Sequence, residues 1–557
     1  MGAALKVQQS HFAIARPGTT FIWARASWAH LLTVFVLACV IPLMFAVYTQ
    51  QAWEDFYITF RASRNLATGH GLVFNIGDHL QTFTSPLQAL LLALASVLTG
   101  NASDAAALWL YRGACIVAFG IAVTLLFATT TRLRYLSPAA VGLVCLVLTD
   151  AKSISFTING METAFLLLSF AYAFWAMFSG STRAALHLGL AWGCMMWARP
   201  DSFIYIGLFA AAVFLFNQPE VTSRTRAEWL RLFRSAVAVA ALVYLPWFVF
   251  SWAYYGSPVP HTVVAKSMES PFRYLSLWQF LRHPPRTILD SLFMPTYAAA
   301  LGGWPAGIRL MGRGIAIALC VAWVLPGLRT ETRAASFTLL GCILYLSYCA
   351  PWPYPWYFCL PALLAFVTLS GLLTQAISAA RHTAPKATAE VLKYCVVGSA
   401  LMVMLGGTWL TMQSARTLKL DQAITEGGTL REIGLWLRER ASPGDTVLLE
   451  PLGYIGYFSG LKTYDVPGLS SREVVELERR FGFSWGAITT ELRPTWLVLR
   501  PYEVEYITET HPQLLEDQYE LARVFDVRDR FAGLSFYGRP LLENTSIFTI
   551  FHRRPAA

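Results

Sequence analysis

Glu54 and Asp55 are adjacent carboxylates that follow directly on a nearly uninterrupted apolar run from Leu31 to Thr49. A run of that length crosses a bilayer, which takes ~20 apolar residues. The two acids therefore emerge within a few residues of the lipid, where charge is costly unless it lines a cavity or serves a function. A carboxylate there can take the proton of an attacking hydroxyl as general base. Three later segments place further chemistry beside apolar runs: Asn159-Gly160-Met161-Glu162-Thr163, Ala198-Arg199-Pro200-Asp201, and Tyr254 to Ser267 with His261 and Lys266. Arg, Lys and His are the side chains that hold phosphate oxygens. Acids and cations together on one membrane face suit a lipid-phosphate substrate. Each residue also has a structural reading. Glu162 can stabilise the first turn of a helix, Arg199 and Asp201 can simply pair, and His261 and Lys266 can be ordinary loop residues.

The elements that would position them read as a polytopic α-helical membrane protein. Hydrophobic residues make up 55%, charged residues 14%, and the mean hydropathy is +0.48, whereas soluble domains carry about 25% charged residues. Apolar runs at 31–49, 105–130, 136–150, 162–179, 184–198, 201–217, 235–254, 313–328, 335–350, 357–376 and 393–412 give about eleven transmembrane helices. Residues 86–99 are too short for a span and read as an interfacial helix after Thr84-Ser85. With eleven spans, every basic cluster falls on one side: Lys6/Arg16/Arg25, Arg132/Arg134, Arg183, Arg224/Arg226/Arg231/Arg234, Arg329/Arg333 and Arg381/Lys386/Lys393. That side is the cytoplasm by the positive-inside rule. The net charge of +10 is thus a topology signal, not a nucleic-acid footprint.

The chain divides into a cytoplasmic N-terminus (1–30), a transmembrane domain (31–412) with a first external loop (50–104), and a C-terminal tail (413–557). The first span is too long for a cleaved signal and reads as a retained anchor. The nine cysteines all precede the tail and form no CxxC pair. In the tail, Leu430–Ala441 has helical periodicity, and 446–450, 496–500 and 546–551 read as strands. A small extracytoplasmic α/β domain follows. Trp53–His70 reads as a helix along the membrane, ended by Gly69 and Gly71. The aromatic loop Pro351–Phe358 reads as an interfacial belt, with cavity lining as a second role.

Taken in order, these segments resemble the GT-C membrane glycosyltransferases, and more closely the family of mycobacterial arabinofuranosyltransferase B and its bacterial relatives. The family pattern runs roughly DDAYI-xFR, NL, GHGLVFN. Here it reads Glu54-Asp55-Phe56-Tyr57-Ile58, Phe60-Arg61, Asn65-Leu66 and Gly69-His70-Gly71-Leu72-Val73-Phe74-Asn75. The Gly-Met-Glu-Thr, Arg-Pro-Asp and Tyr-Tyr-Gly…Ala-Lys motifs follow in the same order, and Gly453-Tyr454, Asp465 and Gly468-Leu469 fit the external domain. Two positions depart: Glu54 stands where the family has Asp, and His261 where it has Asn. The resemblance implies a polyprenyl-phosphate-linked sugar donor, with arabinofuranose the expected sugar. It implies transfer to a glycan or protein acceptor outside the cytoplasm of a bacterial inner membrane. Asp55 would be the principal catalytic carboxylate with Glu54 beside it. Arg199, Lys266, Arg61 and His261 would hold the phosphate, and Glu162 and Asp201 would complete the substrate site. Glu54 and Asp55 could also hold a divalent cation, as in some GT-C enzymes. The rival reading is a lipid-linked sugar transporter or flippase. Such proteins often carry internal repeats and midplane polar groups, whereas the acids here lie at span ends.

Overall fold

The computed structural model describes residues 27–133, 137–222, 224–268, 286–295, 304–349, 354–383 and 386–555. Lys6, Arg16, Arg25, Arg134, Glu269 and Pro351 to Pro353 lie outside them, as does most of the expected N-terminal segment. The helices of the membrane part are α1 (Trp28–Thr49), α2 (Glu54–Ala67), α3 (Pro86–Leu98), α4 (Asp104–Arg132), α5 (Ser137–Leu148), α6 (Ala151–Ile158), α7 (Thr163–Phe178), α8 (Ala184–Ala198), α9 (Ser202–Leu215), the single turn α10 (Pro219–Thr222), α11 (Arg226–Tyr255), α12 (His261–Met268), α13 (Arg286–Ser291), α14 (Ala306–Val321), α15 (Thr330–Cys349), α16 (Cys359–Thr383) and α17 (Lys386–Asp421).

Among the described residues, five helical segments are long and apolar enough to cross a bilayer: α1, α4, α11, the α14 segment and the α16 segment. The bent pair α5 and α6 makes a sixth if read as one span. α3, α7, α8 and α9 are apolar but run only 13 to 16 residues. The expected run at 136–150 forms only the 12-residue α5, and at its end the chain turns by 53° into α6. The cause is local: Asp150 caps α6, accepting from Ser153 N–H at 3.1 Å and Ser153 Oγ–H at 2.6 Å. α8 lies close against α11 because Gly189 and Gly193 carry no side chain. A Cβ on either would strike Val239 or Val243, the small-residue spacing that lets membrane helices approach.

The turns that carry basic residues gather at one end of the bundle. Arg329 Nη1 donates to Leu133 O at 2.5 Å, Arg224 Nη1 to Met177 O at 2.8 Å, and Gln218 Nε2 to Leu328 O at 2.9 Å. α2, α3, α12 and the tail occupy the other end, where α1 and α11 deliver the chain to Gln51 and Gly256.

α17 runs on through a π-helical stretch at 422–430 into α18 (Arg431–Arg440). The tail is then an α/β unit: β1 (Thr446–Leu449), α19 (Leu452–Ser459), β2 (Lys462–Asp465), α20 (Arg472–Phe481), α21 (Trp485–Leu492), β3 (Trp496–Leu499), α22 (Pro501–Thr510), α23 (Leu514–Gln518), β4 (Tyr519–Asp526), α24 (Arg539–Asn544) and β5 (Ile547–Arg553). The sheet order is β2-β1-β3-β5-β4. β2, β1 and β3 are parallel, and β5 and β4 are antiparallel additions. β1 and β3 read as unbroken apolar runs because helices cover both faces. β2 and β4 carry too much polarity to be read from pattern.

Candidate active site

α2 opens at Glu54 with Trp53 extended before it. Three bonds fix that start. Trp53 N–H donates to Asn159 O at 2.9 Å, Ala52 N–H to Gln422 Oε1 at 2.8 Å, and Tyr454 Oη–H to Ala52 O at 3.0 Å. The two acids fill the first turn, where the helix dipole favours negative charge. Phe56 and Phe60 stack on the buried face of the helix at 5.0 Å. Gly69 and Gly71 follow it at φ +86° and +89°, the left-handed conformations that favour glycine.

The acids are hydrogen-bonded to each other and play different parts. Glu54 Oε1 accepts the backbone N–H of Gly453, in the first turn of α19. Burial pushes the Glu54 carboxyl well above the usual carboxylate range, and the charge on Asp55 adds to it. Burial raises Asp55 as well, but Lys266 and the hydrogen bond from Glu54 pull it back down. Both carboxyls are raised, and the balance of these effects favours the proton on Glu54 and the charge on Asp55. A carboxylate pair this close does not ionise twice.

Asp55 lines a pocket together with Thr59, Thr84, Gln88, Glu162, Arg199, Lys266, Trp356, Tyr357 and Leu469. Lys266 comes from α12. Burial alone would lower its ammonium, but Tyr357 and Asp55 outweigh that and raise it. Arg199 is buried at the end of α8. Its Nη1 meets Glu162 Oε1 at 3.1 Å, and its Nε and Nη2 make a fork onto Asp201 at 3.0 and 3.1 Å. The guanidinium lies 4.9 Å from the Tyr357 ring. An arginine held on two carboxylates keeps its orientation and its charge.

Asp55, Glu162, Arg199 and Lys266 are therefore brought together, from positions more than 200 residues apart in the chain. Asp201 stands behind Arg199 rather than in the pocket. Arg61 and His261, expected to hold the phosphate, do not line this pocket. Arg61 points the other way along α2, donating to Gly456 O at 2.7 Å and Leu461 O at 2.8 Å over the Phe74 ring. His261 Nε2 faces Gly468 O at 3.0 Å. Both side chains are spent on carbonyls of the tail, because the tail covers the face of the external loop that the sequence leaves open. Glu54 likewise serves the tail contact and Asp55, not the pocket. The aromatic loop is no lipid belt at its described end. Trp356 is buried against Trp53 and Phe156, with ring centroids 5.9 and 5.8 Å apart. Tyr357, Gln88 and Leu469 escape sequence reasoning. The aromatic run at Pro351–Phe358 carries a signal for Tyr357, the Gly468-Leu469 motif carries one for Leu469, and nothing marks Gln88.

The donor set does not fit a divalent cation held by protein side chains. Glu54 is occupied by Gly453, the ionised Asp55 faces Lys266, and among the described residues no three His, Cys, Asp or Glu side chains gather.

Comparison with known proteins adds to this geometry. Residues 418–543 match a domain of unknown function, DUF8728. A terminal β-(1→2)-arabinofuranosyltransferase of Corynebacterium glutamicum is 27% identical over 308 residues, covering 48% of this chain and 42% of that protein. The match thus spans less than half of the relative's length. The oligosaccharyltransferase of Archaeoglobus fulgidus superposes with a TM-score of 0.52 at 13% identity, over 84% of this chain and 69% of that one. ArnT from Cupriavidus metallidurans, solved with undecaprenyl phosphate bound, superposes with a TM-score of 0.53 at 12% identity, over 94% of this chain and 98% of that one. The chain has the GT-C membrane glycosyltransferase fold. In this fold the acidic turn of α2 and the cations of α8 and α12 line one pocket. The resemblance seen in the motifs extends to the three-dimensional architecture, and the chain is a multi-pass membrane protein.

Proposed function

We propose that this protein transfers a sugar, arabinofuranose being the best-supported, from a polyprenyl-phosphate donor to a cell-envelope glycan or protein acceptor. The reaction takes place on the extracytoplasmic face of a bacterial inner membrane. The observation that carries the reading is one pocket lined by Asp55, Lys266 and Arg199 together. The clustering of basic turns at the opposite end of the bundle supports the orientation, since such residues stay inside. The arabinofuranosyltransferase relative supports the choice of sugar.

The residues have separable tasks. Asp55 takes the proton of an acceptor hydroxyl as its oxygen bonds to the anomeric carbon. The bond from that carbon to the phosphate oxygen breaks, and the electron pair leaves with the phosphate. Lys266 and Arg199 receive the charge that develops there, with the donors already in place. Glu162 and Asp201 hold Arg199 in position. A single displacement inverts the anomeric centre. Attack by Asp55 itself, followed by the acceptor, retains it. The anomeric configuration of the product therefore reports the role of Asp55 directly.

The test is transfer from synthetic polyprenyl-phosphate sugars by purified wild type and Asp55→Asn. The variant should lose ~10²-fold or more in kcat while binding donor as the wild type does. Sugar transport across vesicles that survives this substitution, with no transfer, would sink the reading.

A further inference from the structure

The carboxyl ends of β1 and β3 in the tail carry side chains that the transfer chemistry above does not use. The chain leaves β1 for β2 on one side and then crosses back to β3 on the other. The direction of winding therefore reverses between β1 and β3. In open α/β sheets, ligands bind beyond the carboxyl ends of the strands at such a reversal. Here Glu450 follows β1 and Arg500 follows β3, and the two meet across the gap, Arg500 Nη1 to Glu450 Oε2 at 2.5 Å.

The pair is asymmetric. Arg500 is 5% exposed and secured from behind. Its Nη1 donates to Glu503 Oε1 at 3.1 Å, its backbone N–H donates to Glu503 Oε2 at 2.7 Å, and the guanidinium lies 5.4 Å from the Phe548 ring. Its Nε is buried with no hydrogen-bond partner. The Glu450 side chain, by contrast, is 43% exposed. Tyr502 beside it is 53% exposed, and its hydroxyl is 3.1 Å from Arg500 Nη1. A fixed guanidinium thus presents an open carboxylate edge next to an open aromatic face. The carboxylate has lone pairs free for hydroxyl donors. The ring offers an apolar surface with a polar tip. That combination matches a sugar ring, with hydroxyls on its edge and C–H bonds on its face. An ion pair that served only to close the sheet would need neither the exposed edge nor the exposed ring.

This edge adjoins the pocket. Gly453, three residues beyond Glu450, donates to Glu54, and Leu469, just beyond β2, is part of the pocket wall. We propose that the Glu450–Tyr502 surface is the acceptor subsite, which receives a neutral carbohydrate chain and delivers one of its hydroxyls to the pocket, with Arg500 positioning Glu450. This inference rests on the transfer reading for its purpose, but it is tested by binding alone.

The experiment is titration of the full-length protein in nanodiscs with three neutral oligosaccharides: an arabinofuranosyl hexasaccharide, mannohexaose and maltohexaose. Wild type, Glu450→Gln and Tyr502→Ala are compared, and melting temperature is recorded for each. At least one glycan should bind the wild type, and its Kd should rise about tenfold in both variants with the melting temperature held. If Glu450→Gln does not fold, Tyr502→Ala decides, since its ring is on the surface. Absence of binding of all three glycans to the wild type overturns the proposal, as does binding that neither variant weakens. Donor consumption by the wild type is measured separately. Glycan binding without donor consumption would leave the subsite standing and remove the transfer reading.

Discussion

Gly453→Ala should damage catalysis from a position 398 residues away from Asp55 in the sequence. Gly453 lies in the first turn of α19, pressed against the start of α2. A Cβ there would lie 2.7 Å from Glu54 Oε1 and 2.9 Å from the Glu54 carbonyl carbon, and nearer still to its carbonyl oxygen. Two of these atoms are backbone, so no side-chain rotation relieves the clash. Overpacking of this kind costs about 1–3 kcal/mol, and loss of the Gly453 N–H to Glu54 bond adds about 1 kcal/mol. If α19 and α2 separate to relieve the clash, the Glu54–Asp55 pair shifts with them. A displacement of about 1 Å in a catalytic group costs on the order of 10²-fold in rate. The assay is donor turnover at saturating donor, with kcat and KM resolved, alongside the melting temperature. We expect kcat to fall about 10- to 10²-fold and donor KM to change little, because Lys266 and Arg199 are untouched. A variant with wild-type kcat and wild-type stability would refute the idea that the tail sets the catalytic acids.

Two further outcomes follow from the same contacts. Glu54→Gln should retain most activity, since an amide can still accept from Gly453 and donate to Asp55 as the protonated acid does. Glu54→Ala should lose that donor. Asp55 must be ionised to act, so activity falls as pH drops through its raised pKa. Removing the hydrogen bond that lowers it should move this acid limb to higher pH, read from kcat/KM against pH. A downward shift would contradict the assignment of the proton to Glu54. Arg61→Ala should loosen the tail by about 2 kcal/mol, because it removes a buried charged donor from the carbonyls of Gly456 and Leu461, which keep only the Gly460 N–H and the Ser459 and Thr463 hydroxyls. The fall in melting temperature should exceed any change in donor affinity, and a donor KM that rises without loss of stability would return Arg61 to the phosphate site.

Much of the architecture was legible because its signals are local. Apolar runs mark α1, α4 and α11 directly. The glycines at 69 and 71 mark the end of α2, and unbroken apolar runs mark β1 and β3. The bend at Asp150 was not legible, because an acid at the end of an apolar run looks the same whether the chain leaves the membrane there or caps a further helix. β2 and β4 stayed hidden because their pairing partners, not their own patterns, make them strands. Asp55, Glu162, Arg199 and Lys266, all read from motifs, meet in the pocket, and Asp201 supports it through Arg199. Arg61 and His261 could not be sorted from the others, since a basic residue in an external loop looks the same whether it faces a phosphate or a carbonyl.

By itself the sequence determined that this chain crosses a membrane repeatedly and keeps its basic turns at one end. It also determined that Asp55, Glu162, Arg199 and Lys266 lie beside the ends of apolar runs. These follow from hydropathy and charge, which act residue by residue. Only the tertiary structure decided that Glu54 is buried against Gly453 and that Arg61 secures the tail, through partners some 400 residues distant, and that Glu450 meets Arg500 across 50 residues. None of these is a property of any short stretch of chain.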